Sequence, residues 1–418
     1  MTRPRAVAVV TGSELVRGER TDRNGPFIAR EVLALGLEPA RIEIVGDRED
    51  ELIDALRTGL RSDLMITSGG LGPTHDDRTV ELLARVTGRQ LRVDPELQEQ
   101  IGAISRTVAE RLRRPYADFE PGVAKQASVP DGAESIGLAG TAPGLVLEHD
   151  GCVVVVLPGP PGELQRLWAH ALESAPVRRV LEHARPPGRR TLRFFGASES
   201  AIARALDAAG GETDGVETTI CARDFEIHVD LVVDPGAEAE ADRLEAKLVE
   251  PVEQWLFARD ERSVEAHVLD LCRARGYTLG TAESCTGGLV AERITRVPGA
   301  SDVFLGAVVA YANEVKEREL GVSREVLEAH GAVSAETAAA MAQGVRDRLG
   351  VDVGVGVTGI AGPDGGTPEK PVGLVYVAVA TPGQSRGVDF SYPADRDAVR
   401  SRAAVAALHL VRRVLTQS

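Results

Sequence analysis

The sequence predicts an α/β protein of several domains, and three observations carry that reading. Short runs of buried-strand character alternate with stretches of helical period, the pattern of βα units with a mainly parallel sheet. Glycine-rich loops follow strands at residues 68–77, 281–288 and 358–367, the place where an open α/β sheet receives its ligands. The chain has 418 residues, 43% of them hydrophobic, enough for two or three cores. A stretch rich in Arg and Pro after residue 175 reads as a linker, and the chain divides into domains at 1–175, 176–258 and 262–418.

Charge and cysteines narrow the function classes. The formal net charge is -15, so most of the surface repels nucleic-acid phosphates, and no nucleic-acid partner is expected. Cys152, Cys221, Cys272 and Cys285 lie far apart with no Cys-x-x-Cys pair, which implies neither a zinc knuckle nor a disulfide framework. No apolar run reaches about 18 residues, and the amino terminus leads into a short strand, so neither a membrane span nor a signal peptide is read. A reducing cytoplasm is the expected compartment.

In the first domain, residues 6–10 form a strand run that ends in Thr11-Gly12-Ser13-Glu14. A helix pattern through Ile28, Val32 and Leu35 stops at Gly36. Strand, helix and strand follow at 41–45, 49–60 and 63–67. The last ends in Ser68-Gly69-Gly70-Leu71-Gly72-Pro73-Thr74-His75-Asp76-Asp77. Gly69, Gly70 and Gly72 let the backbone approach a phosphate, and Thr74 can cap the next helix. Asp76 and Asp77 would repel a phosphate unless a hard divalent cation sits between them. A plain glycine-rich turn, its acids favouring a helix amino terminus, accounts for the same residues. Residues 153–157 read as a central strand, and Pro158-Gly159-Pro160-Pro161-Gly162 stiffens the turn into a helix with Leu164, Leu167 and Trp168.

The middle stretch reads strand, helix, strand, strand, helix, with Ser198 capping the first helix. It makes a small α+β module. It has no Gly-x-x-Gly loop to clamp a nucleic-acid backbone and carries many acids, so a structural or dimer-forming spacer is the expected role.

In the last domain, a helix capped by Ser263 precedes Thr281-Ala282-Glu283-Ser284-Cys285-Thr286-Gly287-Gly288, a strand–turn–helix junction. By itself this octapeptide reads as Ser and Thr caps with glycines behind them. It also suits a nucleophile beside unpaired N–H groups that hold an oxyanion. Tyr311 and Lys316 lie five residues apart at the next strand-to-helix turn. A desolvated lysine can act as a base, and a tyrosine hydroxyl can relay the proton. Read alone, Tyr311 is more often a half-buried aromatic and Lys316 a solvated helix residue. Ser334 caps a helix that ends near Leu349, and a central strand then leads into Thr358-Gly359-Ile360-Ala361-Gly362-Pro363. Lys370-Pro371-Val372-Gly373 introduces another strand, and a helix over 395–415 closes the chain.

Together these motifs resemble the CinA (competence/damage-inducible) family. In the first domain the likeness rests on Thr11-Gly12-Ser13-Glu14-Leu15, Thr21-Asp22-Arg23-Asn24, the loop from Gly69 to Asp77, Thr141-Ala142-Pro143-Gly144 and Leu157-Pro158-Gly159-Pro160-Pro161. In the last it rests on Ala282-Glu283-Ser284-Cys285-Thr286-Gly287-Gly288, Tyr311-Ala312-Asn313-Glu314-Val315-Lys316, Gly331-Ala332-Val333-Ser334, the Thr358 loop and Lys370-Pro371-Val372-Gly373. The resemblance implies a three-layer molybdopterin-binding-like first domain, a KH-like middle domain and a nicotinamide-nucleotide amidase last domain. It implies hydrolysis of nicotinamide mononucleotide (NMN) to nicotinate mononucleotide and ammonia, with Ser284 as nucleophile, Lys316 as base and Tyr311 as its partner. Cys285, Thr286, Gly287 and Gly288 would line the oxyanion site, with Cys285 itself a packing residue. Thr358, Gly359, Ala361 and Gly362 would hold the nucleotide. For the first domain it implies a metal-dependent pyrophosphatase that cleaves ADP-ribose to AMP and ribose 5-phosphate. Asp76 and Asp77 would sit at the metal, Glu14, Asp22 and Asn24 less directly, and Gly69, Gly70, Gly72, Thr74 and Gly159 at the phosphates. A homodimer is implied by the same likeness. A non-enzymatic competence or recombination role, or a single active half beside a nucleotide-binding module, stands as the alternative.

Overall fold

The computed structural model describes residues 3–417. The chain separates into two compact units, Met1–Gly188 with Val233–Glu238, and Arg189–Val232 with Ala239–Ser418. The architecture is α/β, as the alternation of strands and helices predicts.

The first unit is built on a six-stranded sheet. Four strands run parallel in the order Glu38–Val45, Arg5–Thr11, Leu64–Ser68, Cys152–Leu157. Ala142–His149 and Glu134–Ala139 extend it antiparallel. Strand side chains alternate between two faces. Val7, Val9, Met65, Val154 and Val156 enter one apolar core, while Ala6, Ala8, Ile66, Val155 and Leu157 enter the other. Both faces are covered, which is why these strands read as unbroken apolar runs. The carboxyl ends of the four parallel strands deliver Thr11, Val45, Ser68 and Leu157 to one edge of the sheet.

In the second unit the small module has its strands in the order Val216–Arg223, Glu226–Val233, Gly188–Phe194, Leu256–Ala258. The larger sheet runs Phe304–Val309, Leu279–Glu283, Val353–Gly359, Leu374–Ala380, Ser385–Ser391. Its first three strands are parallel and its last two antiparallel. The helices Val264–Arg275 and Arg396–Gln417 pack on one face and Ala335–Leu349 on the other. The helix Ala335–Leu349 lies so close to the strand Val353–Gly359 that a Cβ on Gly354 would meet the Ala342 carbonyl at 2.1 Å, and one on Gly356 the Ala338 carbonyl at 2.2 Å. Glycines in that strand set the depth at which Thr358 emerges.

Several local readings change. Thr74 does not cap the helix Thr79–Val86. That helix starts after Arg78 with no side-chain cap, because the Thr74 hydroxyl is occupied by Asp76 and Asp77. Ser284 and Thr286 are not caps either. The helix Leu289–Thr295 starts after Gly288 with no side-chain cap from that residue. The helix Pro95–Leu112, capped by Asp94, and the edge strand Ser385–Ser391 were not expected. The strand's mostly exposed side chains leave no apolar alternation to read. Among the described residues no helix is long and apolar enough to cross a membrane.

Candidate functional site

In the second unit, the ends of the three parallel strands bring Ser284, Ala310 with Tyr311, and Thr358 side by side. Lys316, one turn into the helix Asn313–Leu320, points back into this crevice. Its Nζ lies 3.2 Å from Ser284 Oγ, 2.9 Å from the Ala310 carbonyl and 3.2 Å from the Tyr311 carbonyl. Lys316 is 1% exposed and has no carboxylate against it among the described residues. Burial therefore pulls its ammonium below the ordinary lysine range. The amine faces three oxygens with three directions for hydrogen, and the hydroxyl is the only one of them that can give up a proton.

Glu283, the last residue of the strand Leu279–Glu283, fixes the turn that carries Ser284. It is fully buried. Its carboxylate accepts the N–H groups of Gly288 at 2.9 Å, Val290 at 3.0 Å and Ala291 at 2.9 Å, and the Thr281 hydroxyl at 3.2 Å. An anion placed on the first N–H groups of a helix is the favourable charge for that end. The helix terminus is thus already satisfied and is not the oxyanion site. Ser284 N–H joins the strand ladder through the Val357 carbonyl, and Gly287 N–H bonds the Ser284 carbonyl. The N–H groups of Cys285 and Thr286 meet no protein oxygen among the described residues and face only the Cys285 sulfur. They are the donors left beside the hydroxyl. Cys285 itself faces inward, and burial pushes its thiol up to about 12, so it is a neutral packing group.

Tyr311 departs from the expected geometry. Its side chain is 61% exposed, and its hydroxyl accepts from the Arg396 guanidinium at 2.9 Å. Ala310 takes the inward place at the strand end, so the tyrosine offers the lysine its carbonyl and not its phenol. Arg396 also binds the Gly362 carbonyl at 2.7 Å, and Arg400 binds the Thr286 carbonyl at 3.1 Å. Neither arginine stood out in the sequence, where the last helix shows mainly its apolar stripe. Thr358 is buried, and its hydroxyl is spent on the Ala332 carbonyl at 2.7 Å. Gly359 packs against the Leu374 carbonyl, while the N–H groups of Ala361 and Gly362 meet no protein oxygen among the described residues. Lys370 ties the loop down through the His330 and Val333 carbonyls at 2.8 and 2.7 Å.

In the first unit, the strand ends surround a cleft of about 760 Å³. Glu14, Asp22, Asn24, Gly69, Gly70, Gly72, Asp76, Asp77 and Gly159 all line it. The N–H groups of Gly70, Leu71 and Gly72 have no protein acceptor among the described residues. Gly69 and Gly70 take positive φ, and a Cβ on Gly70 would strike the Thr79 hydroxyl at 2.1 Å. Such a row of N–H groups is an anion cradle. Asn24 bonds Ser68 Oγ at 2.8 Å and the Gly159 carbonyl at 2.7 Å, which ties two of the lining loops together.

The expected acids are spread around the cleft. Asp22 accepts the N–H groups of Asn24 and Gly25. Asp77 accepts from Thr74 N–H at 3.0 Å, and both Asp76 and Asp77 hold the Thr74 hydroxyl. That hydroxyl keeps the Asp76 carboxyl below its ordinary range. Among the described residues no three His, Cys, Asp or Glu side chains converge as a metal cage. Two neighbouring carboxylates beside an anion cradle fit a hard cation whose shell is completed by water and phosphate oxygens.

Comparison with known proteins agrees with this division. Residues 261–415 match the family described as CinA C-terminal domain, and residues 7–177 match the probable molybdopterin binding domain. A CinA-like protein of Mycobacterium tuberculosis strain H37Rv is 42% identical, the match covering 99% of this chain and 97% of that one. A CinA-like protein of Mycolicibacterium gilvum is 42% identical over 99% of both chains. The crystal structure of a competence/damage inducible protein from Agrobacterium tumefaciens is 36% identical, covering 38% of this chain and 100% of that chain with a TM-score of 0.36. With a full-length relative at 42% identity and matches to both domain families, the chain belongs to the CinA family.

Proposed function

We propose that the protein is a hydrolase of pyridine-nucleotide debris. Its second unit deamidates NMN, and its first unit cleaves ADP-ribose. The observation that carries the first activity is a buried lysine amine, its charged form disfavoured by burial, 3.2 Å from the Ser284 hydroxyl. Ser284 Oγ attacks the carboxamide carbon while Lys316 takes the hydroxyl proton. The negative oxygen of the tetrahedral intermediate points at the N–H groups of Cys285 and Thr286. Collapse breaks the C–N bond, and the Lys316 ammonium returns its proton to the departing nitrogen, which leaves as ammonia. Water then attacks the ester as Lys316 accepts its proton. The acyl–oxygen bond breaks as Lys316 passes that proton to Ser284 Oγ, and the acid product leaves as its carboxylate, its proton going to solvent. Tyr311 acts as a wall of the site positioned by Arg396, not as the proton partner of Lys316. Ala361 and Gly362 offer their N–H groups to the nucleotide.

In the first unit, the N–H groups of Gly70 to Gly72 hold the diphosphate. Asp76 and Asp77 would share a divalent cation with it, and that ion would supply charge neutralisation of the phosphates. Pure protein incubated with NMN and with ADP-ribose, with and without a chelator, tests both halves through their products. Ammonia and nicotinate mononucleotide form with chelator present, and AMP with ribose 5-phosphate only without it. If NMN is inert under all conditions, the amidase reading is wrong.

A further inference from the structure

We propose that the first unit's cleft continues into a nucleobase subsite, where Gln126 selects a base carrying an amino group at the position of adenine C6. The proposal rests on the reading of the cleft as a nucleotide site, and adds where the base sits and what reads it. A second hollow of about 290 Å³ adjoins the cleft. The two share the backbone of Gly70 to Gly72 as a common wall, together with Asp77 and Gln126. A nucleotide whose phosphate takes the N–H groups of this shared wall has the second hollow as its neighbouring space.

The two compartments differ in chemistry. The walls found only in the second are Val80, Leu91 and Pro143 on the apolar side and Glu81, Lys125 and Ser128 on the polar side. Leu91 is 41% exposed on a strand of three residues, an apolar surface with nothing packed over it. An aliphatic wall faced by polar side chains, beside an anion cradle, suits a flat ring with polar edges joined to a phosphate. Gln126 supplies the reading group. Its side-chain Nε2 donates to the Leu71 carbonyl at 2.8 Å, which fixes which way the amide faces. Its Oε1 has no protein donor among the described residues. That oxygen is an acceptor only. It pairs with the amino group of adenine and repels the oxo group at the same position of hypoxanthine. Loss of one hydrogen bond at a site built for it discriminates strongly, because the unmatched partners are both left desolvated.

The test is calorimetric binding of AMP, IMP and ribose 5-phosphate to the full chain. The expected order is AMP tighter than IMP by about 10-fold or more, with ribose 5-phosphate weaker than AMP. In Gln126→Ala the AMP-to-IMP ratio falls to near one, while loosening of the cradle through the lost Leu71 contact weakens AMP, IMP and ribose 5-phosphate alike. Leu91→Ala, at an exposed position that does not threaten the fold, weakens AMP about 3-fold through lost apolar contact and leaves ribose 5-phosphate unchanged. Equal binding of AMP and IMP by the wild-type protein overturns the proposal, as does a preference that survives in Gln126→Ala, or failure of all three to bind. If the preference for AMP holds but ADP-ribose is not cleaved, the hydrolase reading of this half fails and the subsite stands.

Discussion

Glu283→Gln tests whether a buried carboxylate sets the geometry of the Ser284 turn. Oε2 of Glu283 serves Gly288 and Val290, and Oε1 serves Ala291 and Thr281. All four donors are neutral. Glutamine has one acceptor oxygen, so two of the four donors lose their partner whichever way the amide turns. The better orientation keeps Gly288 and Val290 and lets the Thr281 hydroxyl rotate away, leaving the Ala291 N–H facing an NH2 group. One orphaned buried donor costs about 1–3 kcal/mol. Losing the charge on the two surviving bonds adds about 1 kcal/mol. The expected loss is about 2–4 kcal/mol in the urea transition of the second unit. Glu283→Ala orphans three backbone donors and falls further. With the turn loosened, the Cys285 and Thr286 N–H groups no longer hold their aim, and kcat for ammonia release falls by about 10-fold or more. A Glu283→Gln protein within about 0.5 kcal/mol of wild type, an ordinary surface effect, and with unchanged kcat, would refute this reasoning.

Three further outcomes are expected. Deamidation rises with pH as Lys316 loses its proton, with a midpoint below the ordinary lysine range because burial disfavours the charged amine; a kcat/KM profile with its rising limb at or above that range would contradict it. Asp76→Ala lowers ADP-ribose cleavage and leaves NMN hydrolysis unchanged, measured by product chromatography. Acid destabilises the second unit through the buried cluster of Glu226 with His409, 2.8 Å apart, and His228, 3.2 Å away. Burial drives the His409 pKa down to about 4, so the native state binds its proton less readily than the unfolded chain does. That contribution is full above about pH 6.5 and is lost as pH falls toward 4. The Glu226 carboxyl, also depressed to about 2 by His228, His409 and Arg193 against the opposing effect of burial, is protonated later and removes its share between about 4.5 and 2. In His409→Phe the loss of thermal stability from pH 7 to 5 should be smaller than in wild type.

The fold class was legible because both sheets bury two faces. Val7, Val9 and Val10, or Val353, Val355 and Val357, sit in runs that need no partner in sequence to be read. Ser284 and Lys316 were legible as residue types at strand ends, and the structure brings them together. Three features were not legible, each because it depends on long-range geometry. The Tyr311 hydroxyl turns to Arg396, which is 85 residues away in sequence. Glu283 belongs to a strand by pattern, and only the bend after it turns its carboxylate onto the following helix. Asp22, Asp76 and Asp77 come from loops and their carboxylates are taken up by local N–H and hydroxyl groups, while Glu14 stands on the short helix Ser13–Val16, so motif likeness alone does not say whether the acids meet.

The amidase mechanism requires Ser284, and not its neighbour Cys285, to form the bond to the substrate carbonyl. Ammonia release from NMN by Ser284→Ala and Cys285→Ala, each shown to be folded, measures this most directly. The account predicts that Ser284→Ala loses activity by about 1,000-fold or more while Cys285→Ala stays within a few-fold of wild type. Activity retained in Ser284→Ala and lost in Cys285→Ala would contradict it.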